Sequence, residues 1–231
     1  MVACDVTVFA EVDARADGTG TVRAGVGLDA DALDKAGDLS GTLEIDDLRQ
    51  AGWDVVGPRQ EGDGLTWVRA SKPFSSPEQA DRILAELSGP EGPFRNLHLV
   101  QRRSFFHTRT SFNGEVDLSG GLTAFVDPQL EERLGGALGF DLEALRKQFG
   151  PELGDVFRVE FIARLPGSVR ASTGQSSDGR AEWLIEPGQR VNLDAQAAVL
   201  NLVPWLPAIG ALLAVAAALA VALWHRRRSD S

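Results

Sequence analysis

Between residues 6 and 28 the chain alternates twice. Val6, Val8, Ala10 and Val12 interleave with Thr7, Glu11 and Asp13. That is the period-two signature of a strand with one buried face. Phe9 stands out on the polar side. Asp17-Gly18-Thr19-Gly20 supplies a turn, and Val22, Ala24, Val26 and Leu28 resume the alternation, so a β-hairpin is predicted. Short helices are expected at 29–36 and 43–51. A second hairpin follows, with arms at 53–59 and 65–74 around Glu61-Gly62-Asp63-Gly64. The clearest helix opens at Ser76-Pro77-Glu78. Ser76 suits the N-cap, Pro77 the first helical position, and Gln79 completes a capping box. Ala80, Ile83, Leu84 and Leu87 give it an apolar face, and Gly89-Pro90 stops it.

Residues 94–118 read as strand. Phe106, Thr108, Thr110, Phe112, Val116 and Leu118 share one parity; His107, Arg109, Ser111, Asn113, Glu115 and Asp117 share the other. Helices are expected near 128–134 and 141–149. Phe157, Val159, Phe161, Ala163 and Leu165 point inward against Arg158, Glu160 and Arg164. The Gly/Ser-rich stretch 166–180 predicts a flexible loop, and the last two strands fall at 181–185 and 190–194. Strands that alternate cleanly have one wet face, which favours antiparallel pairing. Helices between the hairpins would cover the other face. The predicted fold is α+β, a curved antiparallel sheet packed with several short helices, followed by one C-terminal transmembrane helix.

That last helix is read from the run 205–224, which carries no charge. Twenty residues at roughly 1.5 Å each span about 30 Å, the hydrocarbon thickness of a bilayer. Trp205 and Trp224 close its ends as interface anchors. Arg226, Arg227 and Arg228 follow at once, so the tail 225–231 is expected in the cytoplasm and residues 5–200 outside. Gly210, Ala214, Ala218 and Ala222 recur every fourth residue, a stripe suited to helix–helix association, although alanine abundance alone also produces it. The sequence LPAIG at 206–210 echoes a wall-sorting signal, but Ile209 stands where that signal needs threonine.

Charge narrows the partners. The chain has 23 Lys+Arg, 33 Asp+Glu and a net charge of −10. With the arginine tail set aside, the remaining body is more acidic still. Such a body repels polynucleotides and anionic headgroups, so no nucleic-acid partner is expected. No catalytic or metal site emerges. His98 and His107 have opposite parity and would face opposite sides of one continuous strand. No HExxH, GxSxG or phosphate-loop spacing occurs, so neither an enzyme nor a cofactor is expected. The aromatic residues Trp53, Phe105, Phe106, Phe112, Phe157 and Phe161 are candidates to line a lipid cavity, with core packing as the alternative.

Several stretches resemble one family. LRQAGWDVVGP (48–58), ASKPFSSPEQADRILAELSGPEGPFRNLHL (70–99), SFFHTRTSFNGEVDLSGGL (104–122) and FRVEFIARLPGSV (157–169) are similar to the actinobacterial LppM-type lipoprotein domain. The resemblance covers nearly all of 4–224. It implies a cell-envelope domain with a lipobox cysteine in front and one transmembrane helix behind. It also implies binding of envelope glycolipids such as phosphatidylinositol mannosides; the expected place for their acyl chains is an apolar cavity between sheet and helices. The rival reading is a non-enzymatic protein-interaction module with no cavity. Cys4 is the single cysteine, and Met1-Val2-Ala3-Cys4 matches only the end of a lipobox. Residues 1–4 are read as its remnant, with Cys4 as lipid anchor and about 15 to 25 signal-type residues expected upstream.

Overall fold

The computed structural model describes residues 6–36, 45–87, 92–120 and 157–201. Strands dominate them. They run β1 (Val6–Ala14), β2 (Gly20–Leu28), β3 (Asp54–Gln60), β4 (Thr66–Phe74), β5 (Phe94–Arg103), β6 (His107–Asp117), β7 (Phe157–Arg164), β8 (Ser168–Ser172), β9 (Gln175–Ser177), β10 (Arg180–Ile185) and β11 (Arg190–Leu200). The described helices are α1 (Ala30–Ala36), α2 (Ile45–Gln50) and α3 (Pro77–Glu86).

Both predicted hairpins form. β1 and β2 pair from Val6↔Leu28 to Ala14↔Gly20, and β3 pairs with β4. Capping starts the helices as the residues suggest. The Asp29 carboxylate accepts from the Ala32 N–H at 2.7 Å. The Ser76 hydroxyl accepts from the Gln79 N–H, while the Gln79 side chain accepts from the Ser75 N–H at 2.8 Å.

The architecture departs from the expected α+β fold. Two sheets face each other, and the helices are minor. Sheet A has seven strands in the order β3-β4-β2-β1-β7-β10-β9, and sheet B has four in the order β5-β6-β11-β8. Sheet A is mixed, because β1 and β7 pair in parallel from Val6↔Phe157 to Asp13↔Arg164. Among the described residues the inner faces of these strands bury mainly against sheet B. Only α3 contributes substantially to the covering, packing on β5, β2 and β4. The expected loop at 166–180 contains β8, β9 and the start of β10. His98 and His107 lie on two strands of a hairpin, β5 and β6, rather than on one strand. Among the described residues no helix is long and apolar enough to cross a membrane. The run 205–224 and the helices expected at 128–134 and 141–149 lie outside the described residues.

The two ends of this sandwich are distinct. The β1–β2 turn meets sheet B where β5 ends, through the Gln101 Nε2 donating to the Arg15 carbonyl at 2.9 Å. The β5–β6 turn and the end of β11 share that end, with His107 opposite Leu200. At the other end lie Val6, the β3–β4 turn and the start of β11.

Candidate functional site

The aromatic candidates divide into two groups. Phe112 on β6 and Phe161 on β7 are both 0% exposed. Their rings stack with centroids 5.2 Å apart and planes 17° apart, joining sheet B to sheet A. Trp183 of β10 lies against both, at 6.5 and 6.3 Å, and Phe94 of β5 lies 6.0 Å from Phe161. Phe157 is buried in the same cluster. Trp53 is buried too, and its indole N–H donates to Glu86 at 3.0 Å. Lys72 donates to the same carboxylate and to the Ala51 carbonyl, so Trp53 belongs to a joint between α3, β4 and the turn before β3. Phe105 and Phe106, by contrast, are exposed at the β5–β6 turn.

Among the described residues two clefts open elsewhere, and neither is lined by those six residues. One, of about 600 Å³, runs between α3 and β5 and is lined by Asp81, Leu84, Ala85, Phe94, Arg95, Asn96, Leu97 and His98. It exists because β5 shifts register between Arg95 and His98, where Asn96 takes a φ of 51°. His98 Nδ1 lies 3.0 Å from Asp81, whose other oxygen accepts from the Leu99 N–H. The other, of about 420 Å³, is more polar and is walled by Val56, Arg59, Gln60, Glu61, Gly62, Trp67 and Arg69.

The outer face of sheet A carries a second, smaller apolar cluster of Phe9, Trp67 and Ile162. This accounts for the misplaced parity of Phe9. Its ring meets Trp67 edge-on at 5.9 Å, and the Arg69 guanidinium lies over both rings at 4.8 and 4.0 Å. Glu61 holds that guanidinium through two contacts of 2.8 Å, and the paired arginine keeps the Glu61 carboxyl below its ordinary pKa. The rings can come down close onto the strands because glycine stands beneath them. A Cβ on Gly27 would come within 2.7 Å of the Trp67 ring, and one on Gly25 within 2.8 Å of Phe9.

Buried charge on this face is paired. Glu11 accepts from Arg23 at 2.5 Å and from Arg164 at 3.2 Å. Glu160 accepts from Arg180 at 3.1 Å. Burial nonetheless pushes the Glu160 carboxyl up, and neighbouring Glu182 adds to this while Arg180 opposes it. At the other end of sheet B, Asp117 is buried against Ser119, Arg190 and Arg95. The Ser119 hydroxyl and the Arg190 guanidinium hold its carboxyl well below the usual carboxylate range. Each of these carboxylates is tied into an ion pair with arginine.

Among the described residues no group of three or more His, Cys, Asp or Glu side chains is placed to hold a metal ion. Cys4, Trp205, Trp224, the arginines 226–228 and the stripe Gly210, Ala214, Ala218 and Ala222 lie outside the described residues.

Phe105 and Phe106, expected to line a cavity, stand instead at the surface. The β5–β6 turn gathers Phe105, Phe106, Leu200 and exposed arginines at the end where β11 finishes. A signal was present: residues 92–114 contain no Asp or Glu, in a chain with 33 of them.

The described residues thus define a predominantly β, two-sheet sandwich with an aromatic core. No family model matches the chain, and no curated protein matches it. Among solved structures, the NMR structure of the Mycobacterium tuberculosis LppM protein folded domain is similar, at 15% identity over 87% of this chain and 94% of that chain, with a TM-score of 0.43. Identity and TM-score at that level assign neither a family nor a site.

Proposed function

We propose that this chain is a non-enzymatic domain of the cell envelope, tethered through 205–224, that works through its surfaces rather than through an enclosed lipid cavity. The carrying observation is the interlocked core. Phe112, Phe161, Phe157 and Trp183, where an acyl chain would have to lie, are buried against one another. A lipid cavity needs several hundred Å³ bounded by such rings. The tether is supported by the uncharged run and the arginines after it. Native mass spectrometry of the full chain, released from its own membrane in mild detergent, tests this reading. Bare polypeptide mass is expected. A lipid retained one-to-one would sink it and restore an acyl-binding domain.

One observation favours the lipid reading. The cleft between α3 and β5 has Leu84, Ala85, Phe94 and Leu97 in its wall, an apolar lining that an acyl chain would fit. If lipid is retained, Ala85→Trp should release it, because the bulk enters that cleft; Phe105→Ala should not. Acylation of Cys4 stands as a separate part of the proposal. Metabolic labelling with an alkyne fatty acid should mark the wild type and spare Cys4→Ser; equal labelling would remove the anchor.

A further inference from the structure

The end of sheet B where β11 finishes is built unlike the rest of the described residues. Ser104 and His107 close the β5–β6 turn, with the Ser104 N–H donating to the His107 carbonyl at 2.9 Å and its hydroxyl at 2.7 Å. Phe105 and Phe106 occupy the turn. They are 61% and 55% exposed, and their rings meet edge-on at 5.0 Å. Leu200, the last residue of β11, is 69% exposed beside them. In water such a group of large apolar side chains is unfavourable, and it marks a surface that meets something apolar.

The charge around it is inverted relative to the whole. Arg102, Arg103 and Arg109 are exposed on the two strands of the hairpin. Arg102 stands opposite Arg109, and Arg103 opposite Thr108, so guanidiniums flank the turn from both faces. No Asp or Glu occurs at 92–114 or at 195–204, although the chain carries −10 overall. An acidic body with one cationic, aromatic end is oriented by an anionic surface, cationic end first.

The end of β11 is fixed to the same turn. The Asn201 N–H donates to the Phe106 carbonyl at 2.8 Å, and its side-chain amide donates to the Ser104 carbonyl at 2.7 Å. Its Oδ1 accepts from the Thr108 hydroxyl at 3.0 Å. Trp205, which opens the uncharged run, comes four residues later. Four residues reach at most about 14 Å when fully extended. If 205–224 enters a bilayer, the turn is therefore held at or just above its headgroup layer. That layer prefers amphipathic and aromatic groups, and arginine meets its phosphates.

We propose that Phe105 and Phe106 dock the sandwich on the anionic phospholipid surface that 205–224 enters, with Leu200 beside them and Arg102, Arg103 and Arg109 on lipid phosphates. This rests on the reading of 205–224 as a membrane span. The docked end fixes the tilt of the domain and turns its acidic remainder away from the membrane.

The test uses the full chain with Cys4→Ser, carrying a fluorophore on Phe106→Cys. It is reconstituted into phosphatidylglycerol–phosphatidylcholine vesicles that contain a headgroup-level nitroxide lipid. A label on Gly62→Cys is the control, because a side chain there meets nothing within 4 Å and the β3–β4 turn lies at the other end of sheet A. The label at 106 should be quenched several-fold more than the label at 62. Arg102→Glu with Arg103→Glu should reduce that quenching while the melting curve stays unchanged. Equal quenching at both positions would overturn the proposal. So would a label at 106 shielded from both the nitroxide lipid and aqueous iodide, because protein rather than lipid would then cover the turn, whether residues 202–231 or a second copy. Alkaline carbonate separates the two readings. Release of the chain with the label at 106 still quenched breaks the span and leaves the docking; retention with the label at 106 open to iodide breaks the docking alone.

Discussion

Two pairs of phenylalanines, one buried and one exposed, lie on the same two-sheet frame. Phe112 and Phe161 come from different sheets, stack at 5.2 Å and see no solvent. Phe105 and Phe106 are neighbours in sequence, meet edge-on at 5.0 Å and stand in solvent. The first pair joins strands that run opposite one another across the sandwich. The second sits in the β5–β6 turn, past the last paired residues of those strands, and is more than half exposed. Residue type is the same in both; what differs is whether a second sheet lies over the position. The first pair therefore answers for stability and the second for contact with something outside the fold.

The sharpest break of that contrast is Phe161→Ala. It should cost about 3 to 5 kcal/mol, the usual loss for a fully buried aromatic ring, read as a lower urea midpoint of tryptophan fluorescence. A cost like that of a surface residue would mean that the rings do not carry the core. Gly27→Ala comes next. Its new methyl meets the Trp67 ring at 2.7 Å and should cost about 1 to 3 kcal/mol, as overpacking does. Pairing it with Trp67→Ala should cost less than the sum of the two single changes.

Two carboxylates extend the comparison to pH, with opposite signs. Asp117 has its pKa depressed by Ser119 and Arg190. Its contribution is complete above the ordinary aspartate value and is lost as pH falls through the depressed one. Glu160 has its pKa raised by burial and by Glu182. Its contribution is complete below the ordinary glutamate value and declines as pH rises through the raised one. Glu160→Gln should therefore raise the neutral-pH denaturation midpoint relative to wild type, with the gain vanishing in acid. Asp117→Asn should lower it at neutral pH, and that loss should shrink in strong acid. A Glu160→Gln protein less stable at neutral pH would show that its pairing with Arg180 outweighs its burial. The smallest effect belongs to Phe105→Ala, within about 0.5 kcal/mol on stability, measured in the same urea titration, while its membrane contact falls.

How far the residues announced all this depends on whether the deciding interaction is local. Thr108, Thr110, Phe112, Val116 and Leu118 share a parity and are buried together. Ser76 caps its helix because the partner N–H is three residues away. Parity, however, says which side of a strand is dry, not what covers it, so a second sheet and a layer of helices look alike. That is why the helices were given a role that sheet B fills. The short strands β8 and β9 hide in Gly/Ser-rich sequence because their pairing to β11 and β10 is made from outside the segment. Phe9 reads as exposed because Trp67, Ile162 and the glycines beneath the rings come from three other strands. Phe105 and Phe106 read as cavity lining because 94–118 reads as continuous strand, which gives Phe106 the parity of Phe112; the turn at 104–106 breaks that parity. Its acid-free flanks were the readable sign, and an overall charge count averages them away.

The parallel pairing of β1 with β7 also sets an order of events. Glu11 and Arg164, in contact across that pair, are 153 residues apart in the chain. A polypeptide made from its N-terminus therefore produces one of its most central strands first and that strand's neighbour last but a few. Until 157–164 arrives, β1 has β2 on one side and an open edge on the other, the kind of edge that recruits foreign strands. Closing a loop of that length is slow, because the contact is repaid only after the chain entropy has been spent. Sheet A thus stays unclosed until residue 164 of 231 has been delivered, and β1 keeps its open edge for that whole interval.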